Sequence, residues 1–268
     1  MTIVTISRGT YSRGRSVAEK LAKAMDYECL SREILIEASK EFNIPEIKLI
    51  RAIHDAPSIL DRFSYGRERY IAFFRAALLK HLQQDKIIYH GLAGHVFLQK
   101  IPHVFKVRII ADIDYRIKEE MKREKISADH ARHILVKDDD ERRKWSLAVF
   151  GLDIWNPQFY DMTLNLSNMD VDEAVAIIFQ TIQHTCFETT PESQGKLDDL
   201  SLSAQIEAVL INEFPKATAE CRAGIAYIGI RGSLINEKNI DSRARSLLKI
   251  VKGIKTIHIN TIPHFIEN

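Results

Sequence analysis

Four consecutive residues, Ile3-Val4-Thr5-Ile6, three of them aliphatic and all β-branched, lead through Ser7 and Arg8 into Gly9-Thr10-Tyr11-Ser12-Arg13-Gly14-Arg15-Ser16. A short apolar run of this kind reads as a buried strand. Beyond the loop, Val17-Ala18, Leu21-Ala22 and Met25 recur at the spacing of one helical face. Strand, glycine-containing loop and helix in that order constrain the chain to begin with an α/β crossover unit. The glycines allow backbone N–H groups to turn towards an anion, and the helix N-terminus adds partial positive charge. The spacing fits the phosphate-binding pattern G-x-x-x-x-G-K-[ST], with Arg15 where lysine is usual. Arginine keeps the charge and can meet two phosphate oxygens at once, although its planar fork does not replace an ammonium group for group. On this reading Gly9 to Ser16 hold nucleotide phosphates and the Ser16 hydroxyl is a candidate Mg²⁺ contact. The alternative is a turn that binds nothing.

The alternation continues. Residues 31–42 and 66–84 read as helices, 87–89 as a strand ending at Gly91, 104–110 as a third strand, 113–124 and 127–148 as helices, 162–166 as a fourth strand and 171–184 as an apolar helix. Strands alternating with helices imply crossover connections and a parallel sheet. The pattern breaks at Thr189-Thr-Pro-Glu-Ser-Gln-Gly-Lys, which is polar, lacks apolar periodicity and reads as a linker. The expected organisation is an α/β domain over 1–187, a linker over 188–198, and a small α+β domain of αββαβ order over 199–268, its helices at 200–213 and 237–250 and its strands at 216–221, 225–231 and 254–260.

Composition excludes some roles. Thirty-eight basic residues against 36 acidic ones leave a net charge of +2, so no general attraction to nucleic acid or to a membrane surface is expected, and any anion site must be local. Cys29, Cys186 and Cys221 form no closely spaced pair, which argues against a disulfide framework or a thiolate zinc site. Neither a signal peptide nor a membrane span is expected, which makes the cytoplasm the expected compartment.

With these motifs in place, the first 185 or so residues resemble the cytidylate kinase-like family. The resemblance rests on Ile6-Ser7-Arg8 and the loop after it, on Ser31-Arg32-Glu33, on Ile87-Ile88-Tyr89-His90-Gly91, on Val107 to Asp112 with Arg116, on Lys137, Asp140 and Arg143, and on Asn156-Pro157-Gln158-Phe159-Tyr160-Asp161. It implies a P-loop nucleotide-binding fold, ATP and Mg²⁺ as cofactors, a small-molecule nucleotide as partner, and transfer of the γ-phosphoryl group of ATP to CMP or a similar acceptor. Arg15, Arg116, Arg142 and Arg143 are then the catalytic candidates. Arg32, Asp140 and Arg143 are candidates for the acceptor. The chain departs from the family pattern at Arg15, at Ser31 where the relatives have Asp, and at Leu92 where they have a phosphate-facing Arg. Phosphoryl transfer depends on positioned cations, so a nucleotide or phosphoanion sensor that binds without turnover stands as the alternative. A third possibility is a scaffold that binds no nucleotide.

The C-terminal 70 residues resemble a BON domain, through Ile206 to Leu210, the hairpin ending Ile228-Gly229-Ile230-Arg231-Gly232, and Ala244 to Ile257. That resemblance implies a regulatory, protein-binding or ligand-binding role. Of the remaining polar candidates, His130 and His133 read as exposed helical residues, and His90 and His95 as packed side chains beside the glycines that follow the second strand.

Overall fold

The structure is a computed structural model and describes residues 2–10, 12–31, 33–43, 64–91 and 93–263. Tyr11, Arg32 and Leu92, singled out above, lie outside the described residues. The described chain forms two compact units, one of residues 2–33 and 84–190, the other of residues 34–43, 64–83 and 191–263.

The first unit is built on five parallel strands: β1 (Ile3–Arg8), β2 (Glu28–Leu30), β3 (Ile87–Tyr89), β4 (Val104–Ile110) and β5 (Met162–Asn165). Their order across the sheet is β2-β3-β1-β4-β5, every neighbouring pair parallel. The short strand β2 adds to the strands read from the sequence. Strand β1 is central because it is apolar on both faces: Ile3, Val4 and Ile6 are buried, as parallel strands covered by helices require. On one side it is covered by α1 (Gly14–Met25) and by a second helix over Val171–Ile182. Val17, Ala18 and Leu21 of the first and Ala174, Ile178 and Ile182 of the second join Val4, Ile6, Val107 and Ile109 in one core. The later helix starts with a full capping box, in which the Asp170 side chain accepts from the Glu173 N–H and the Glu173 side chain from the Asp170 N–H, satisfying two donors at the helix start.

Beyond β4 come two antiparallel helices, over Ile113–Glu124 and Ala128–Phe150, held together by Ile117, Ala131 and Leu135. Strand order reverses beside β1, between β3 and β4. In an open parallel sheet the crevice outside the carboxyl ends of the strands at such a point is where ligands bind, and the loop after β1 opens into it.

The second unit contains the helix Ser64–Leu82, a long helix Pro191–Leu210, the strands β6 (Thr218–Arg222), β7 (Ile225–Arg231) and β8 (Thr256–Ile262), and the helix Glu237–Leu248. From Pro191 on, the order is the expected αββαβ. The segment expected as a linker is helical from Pro191 onwards. Proline fits the first position of a helix, where its missing N–H costs nothing, and buried Ser193, Leu197, Ser201 and Leu202 supply the packed face that polar composition hid. Strands β6 and β7 form a hairpin in which Arg222 pairs with Ile225. Its two turn residues, Ala223 and Gly224, both have positive φ, 51° and 82°, matching the twist of a two-residue hairpin, and the Asp199 carboxylate accepts from both their N–H groups. Strand β7 pairs in parallel with β8. The core is Leu202, Ile206, Leu210, Ile228, Ile230 and Leu248 among others. Among the described residues no helix is long and apolar enough to cross a membrane.

Candidate phosphate site

The loop after β1 is stitched to the neighbouring strand. Gly9 donates its N–H to the carbonyl of Ile109 at 3.0 Å. The Ser12 hydroxyl lies 3.0 Å from the carbonyls of both Ile109 and Gly9, and the residue is wholly buried. Ser12 therefore acts as a tie within the loop. Arg13 takes the left-handed conformation, φ 60° and ψ 11°, uncommon for a residue with a side chain. Its guanidinium donates to Glu119 at 2.6 Å and lies over the Tyr115 ring. Gly14 is glycine for a steric reason: a Cβ there would sit 2.7 Å from Cβ of Arg8, closer than carbon atoms tolerate.

Thr10 is the point of contact with the helical pair. Its N–H donates to Asp139 Oδ1 at 3.1 Å and its carbonyl accepts from Arg116 Nη1 at 3.2 Å. Arg116 Nη1 also donates to Asp139 Oδ2 at 2.6 Å. The two side chains are 11% and 18% exposed, so the pair is largely removed from water. Two buried polar atoms beside it, Thr10 Oγ1 and Arg116 Nε, have no hydrogen-bond partner among the described residues. Such atoms carry a desolvation cost and mark a place where a polar ligand would be welcome.

Sequence reading passed over two further arginines. Arg8 ends β1, and Arg108 shares one face of β4 with Lys106 and Ile110, while Val107 and Ile109 fill the core. With Arg116 and Arg142 they line a cavity of about 160 Å³, in which Asp139 is the lining carboxylate. The signal was available: a charged residue inside an apolar strand is rare unless something uses it. Arg108 is fixed from behind. Its Nη1 donates to the hydroxyl of Tyr160 at 3.2 Å and to the carbonyl of Ile154. The Tyr160 hydroxyl in turn lies 3.2 Å from Ser7 Oγ and 3.2 Å from Nε2 of His95. Burial first, then the charges of Arg108 and Lys106, lower the His95 pKa to about 4, so the ring is neutral and adds no charge beneath the cavity. Asp161 accepts from the backbone N–H and the ammonium group of Lys106. The Tyr-Asp motif thus buttresses the strand that carries Arg108.

A larger cleft, about 680 Å³, adjoins the loop and is lined by the cations Arg8, Arg13, Arg15, Lys122, Arg123 and Arg142 against the carboxylates of Glu119 and Glu120. Arg15 stands at its outer rim, 69% exposed and paired with Glu19 at 2.7 Å. Ser16 is exposed on the first turn of α1. Arg143 is placed elsewhere: Asp153 holds it at 2.6 Å and Trp155 stacks on it at 4.3 Å. Asp140 faces an open surface groove with Lys137 and His133. Of the expected residues the structure therefore brings together Gly9, Arg116 and Arg142 around one cavity, with Thr10, Ser12, Arg13, Gly14 and Arg15 along the adjoining cleft.

A single sequence-family model covers this arrangement: that of the cytidylate kinase-like family matches residues 3–168. The chain belongs to the cytidylate kinase-like family. No curated protein matches its sequence. Among solved structures, this cytidylate kinase-like chain is similar to an uncharacterized protein from Eubacterium ventriosum, at 21% identity and TM-score 0.53 over 68% of this chain and 99% of that one, a likeness that shows the fold. Shikimate kinases from Acinetobacter baumannii, solved with shikimate (12% identity, TM-score 0.38, 68% of this chain and 93% of that one), and from Bacteroides thetaiotaomicron (6%, 0.42, 68% and 99%) are more distant.

Proposed function

We propose that this chain is a nucleotide-dependent phosphotransferase of the nucleoside monophosphate kinase type, moving the γ-phosphoryl group of ATP to CMP or a similar acceptor. The observation that carries the reading is the convergence of Arg8, Arg108, Arg116 and Arg142 on one cavity beside the Gly9–Gly14 loop. Positioned guanidinium groups are what phosphoryl transfer asks of a protein, because the work lies in orientation and charge stabilisation. The Thr10 hydroxyl and Arg116 Nε, unpartnered among the described residues, fit a ligand rich in oxygen acceptors. Arg142 and Arg116 clamp the transferring group, and Arg15 leaves Glu19 to reach the donor phosphates. Mg²⁺ brought with ATP supplies charge neutralisation, with Ser16 as its candidate protein contact. Acceptor roles for Arg32, Asp140 and Arg143 belong to the same proposal. The second unit, read as BON-like, is proposed to carry partner or ligand binding.

The test is a coupled assay of the full chain with ATP·Mg²⁺ and each of the four common nucleoside monophosphates. Turnover with at least one, lost in Arg142→Met, is the expected result. Background rates with all four would sink the enzyme reading. A sensor that binds ATP without turning it over has one observation in its favour: Arg15, at the position of the loop lysine, is spent on Glu19 at the surface. A thermal shift with ATP·Mg²⁺ in the absence of turnover would select that reading, since a ligand at a hundred times its Kd adds about 2.7 kcal/mol of stability.

A further inference from the structure

The contact between Asp139 and the loop is arranged as a bound phosphate would be. A phosphoryl group at the end of such a loop offers oxygens to a backbone N–H and to a guanidinium. Here one carboxylate oxygen takes the Thr10 N–H at 3.1 Å and the other takes Arg116 Nη1 at 2.6 Å. The helix that carries Asp139 is locked in register by Ala131 and Leu135 against Ile117, so the carboxylate is delivered by packed structure. Among the described residues it is also the lone lining carboxylate of a cavity lined by four guanidinium groups, those of Arg8, Arg108, Arg116 and Arg142.

We propose that Asp139 is an internal stand-in for a ligand phosphoryl group and thereby a specificity-determining residue of this cavity. This inference rests on the phosphate-site reading above and deepens it by naming the class of ligand admitted. A ligand must eject the carboxylate to take the Thr10 N–H and Arg116. A singly charged anion gains nothing by the exchange, because it replaces one negative charge with another and leaves Asp139 to be resolvated. A ligand with linked phosphoryl groups reaches Arg8, Arg108 and Arg142 as well, and the extra charge-assisted hydrogen bonds drive the exchange. The cavity therefore selects polyphosphates, and the fraction of molecules in which Asp139 has swung out sets the apparent affinity.

The experiment is calorimetric titration of the full chain and of Asp139→Asn and Asp139→Ser with inorganic pyrophosphate, ADP and acetate. Pyrophosphate and ADP are expected to bind both variants roughly tenfold more tightly than the unmutated chain, and acetate is expected to bind detectably only once the charge at 139 is gone. Unchanged or weaker pyrophosphate binding in both variants, with the unmutated chain binding normally, would overturn the role of Asp139 and leave the phosphate site standing. No binding of pyrophosphate or ADP by any of the three would remove both readings. A measurement free of substitutions covers the case in which the variants do not fold. The amide NMR resonance of Thr10 in the unmutated chain should shift on saturation with pyrophosphate, as its acceptor changes from carboxylate to phosphate. A resonance that stays in place while pyrophosphate binds would overturn the proposal.

Discussion

Arg116 and Arg15 make ion pairs of nearly equal length, 2.6 Å to Asp139 and 2.7 Å to Glu19, and the two pairs have little else in common. The first is 11% and 18% exposed, tied to the backbone of the loop, and set between helices that cannot move apart without opening a core. The second is 69% and 50% exposed, four residues apart on one helix, and free to exchange with water. Surrounding dielectric and the cost of ordering side chains decide what an ion pair is worth. Counting charges along the sequence gives both arginines equal weight, while burial tells them apart.

The comparison breaks most clearly at Arg116. Arg116→Met takes from the largely buried Asp139 carboxylate its closest guanidinium, and although the Thr10 N–H and the other cavity arginines remain, breaking the pair should cost about 2 kcal/mol. Urea unfolding should show a loss of that order, and the double variant with Asp139→Asn should recover part of it. A change as small as that expected for a surface arginine would mean the inner pair is no different from the outer one.

The second effect concerns the support beneath the cavity. The His95 pKa in the folded chain, about 4, lies below the ordinary value of 6.5. The unfolded chain therefore binds a proton at higher pH than the folded one does. The stabilisation is complete above about pH 6.5 and is lost as pH falls towards about 4, by on the order of 3 kcal/mol in all. Unfolding midpoints compared at about pH 7.5 and about pH 5 should separate, and His95→Gln should narrow the gap. A gap of equal size in the variant would assign the acid sensitivity to other groups.

The smallest effect on stability is expected at Arg15. Arg15→Ala should leave the ligand-free melting temperature unaltered, because its pair with Glu19 is screened. The same variant sharpens the functional contrast. Lost turnover with ATP binding retained would mean that Arg15 leaves the surface when nucleotide arrives; turnover unaffected would mean that the inner arginines suffice.

Much of the first unit was legible because its signals are local. An apolar strand, a glycine loop and an amphipathic helix each depend on residues close together in sequence, and β1, β4 and the helix at 113–124 fall where the pattern put them. The site was harder to read, for a geometric reason. Asp139 with Arg142, and Asp140 with Arg143, are two pairs of identical spacing displaced by one residue, about 100° around the helix. Spacing cannot choose between them. The phase comes from the apolar residues Ala131, Leu135 and Trp145, all buried, which place Asp139 and Arg142 on the inward side. Carried through, that stripe would have found Asp139. Residues 191–198 were missed for a different reason: a packed helix face made of Ser193, Leu197 and Ser201 has too little apolar contrast to announce itself, and Gly195 lowers local helix propensity by about 1 kcal/mol while tertiary packing restores it.

The strand pair β2 and β3 carries one more implication. Parallel neighbours demand a long return path, and here that path, between Leu30 and Ile87, passes through residues 34–43 and 64–83 of the other unit. The helix Ser64–Leu82 is tied there to Pro191–Leu210 by Arg75 and Glu207, 2.7 Å apart. A protein expressed only to residue 190 would keep the whole parallel sheet and yet strand this helix without its partner. Anyone seeking the first unit alone would have to replace the return path as well as remove the tail, since covalent order and spatial order are interleaved in this molecule.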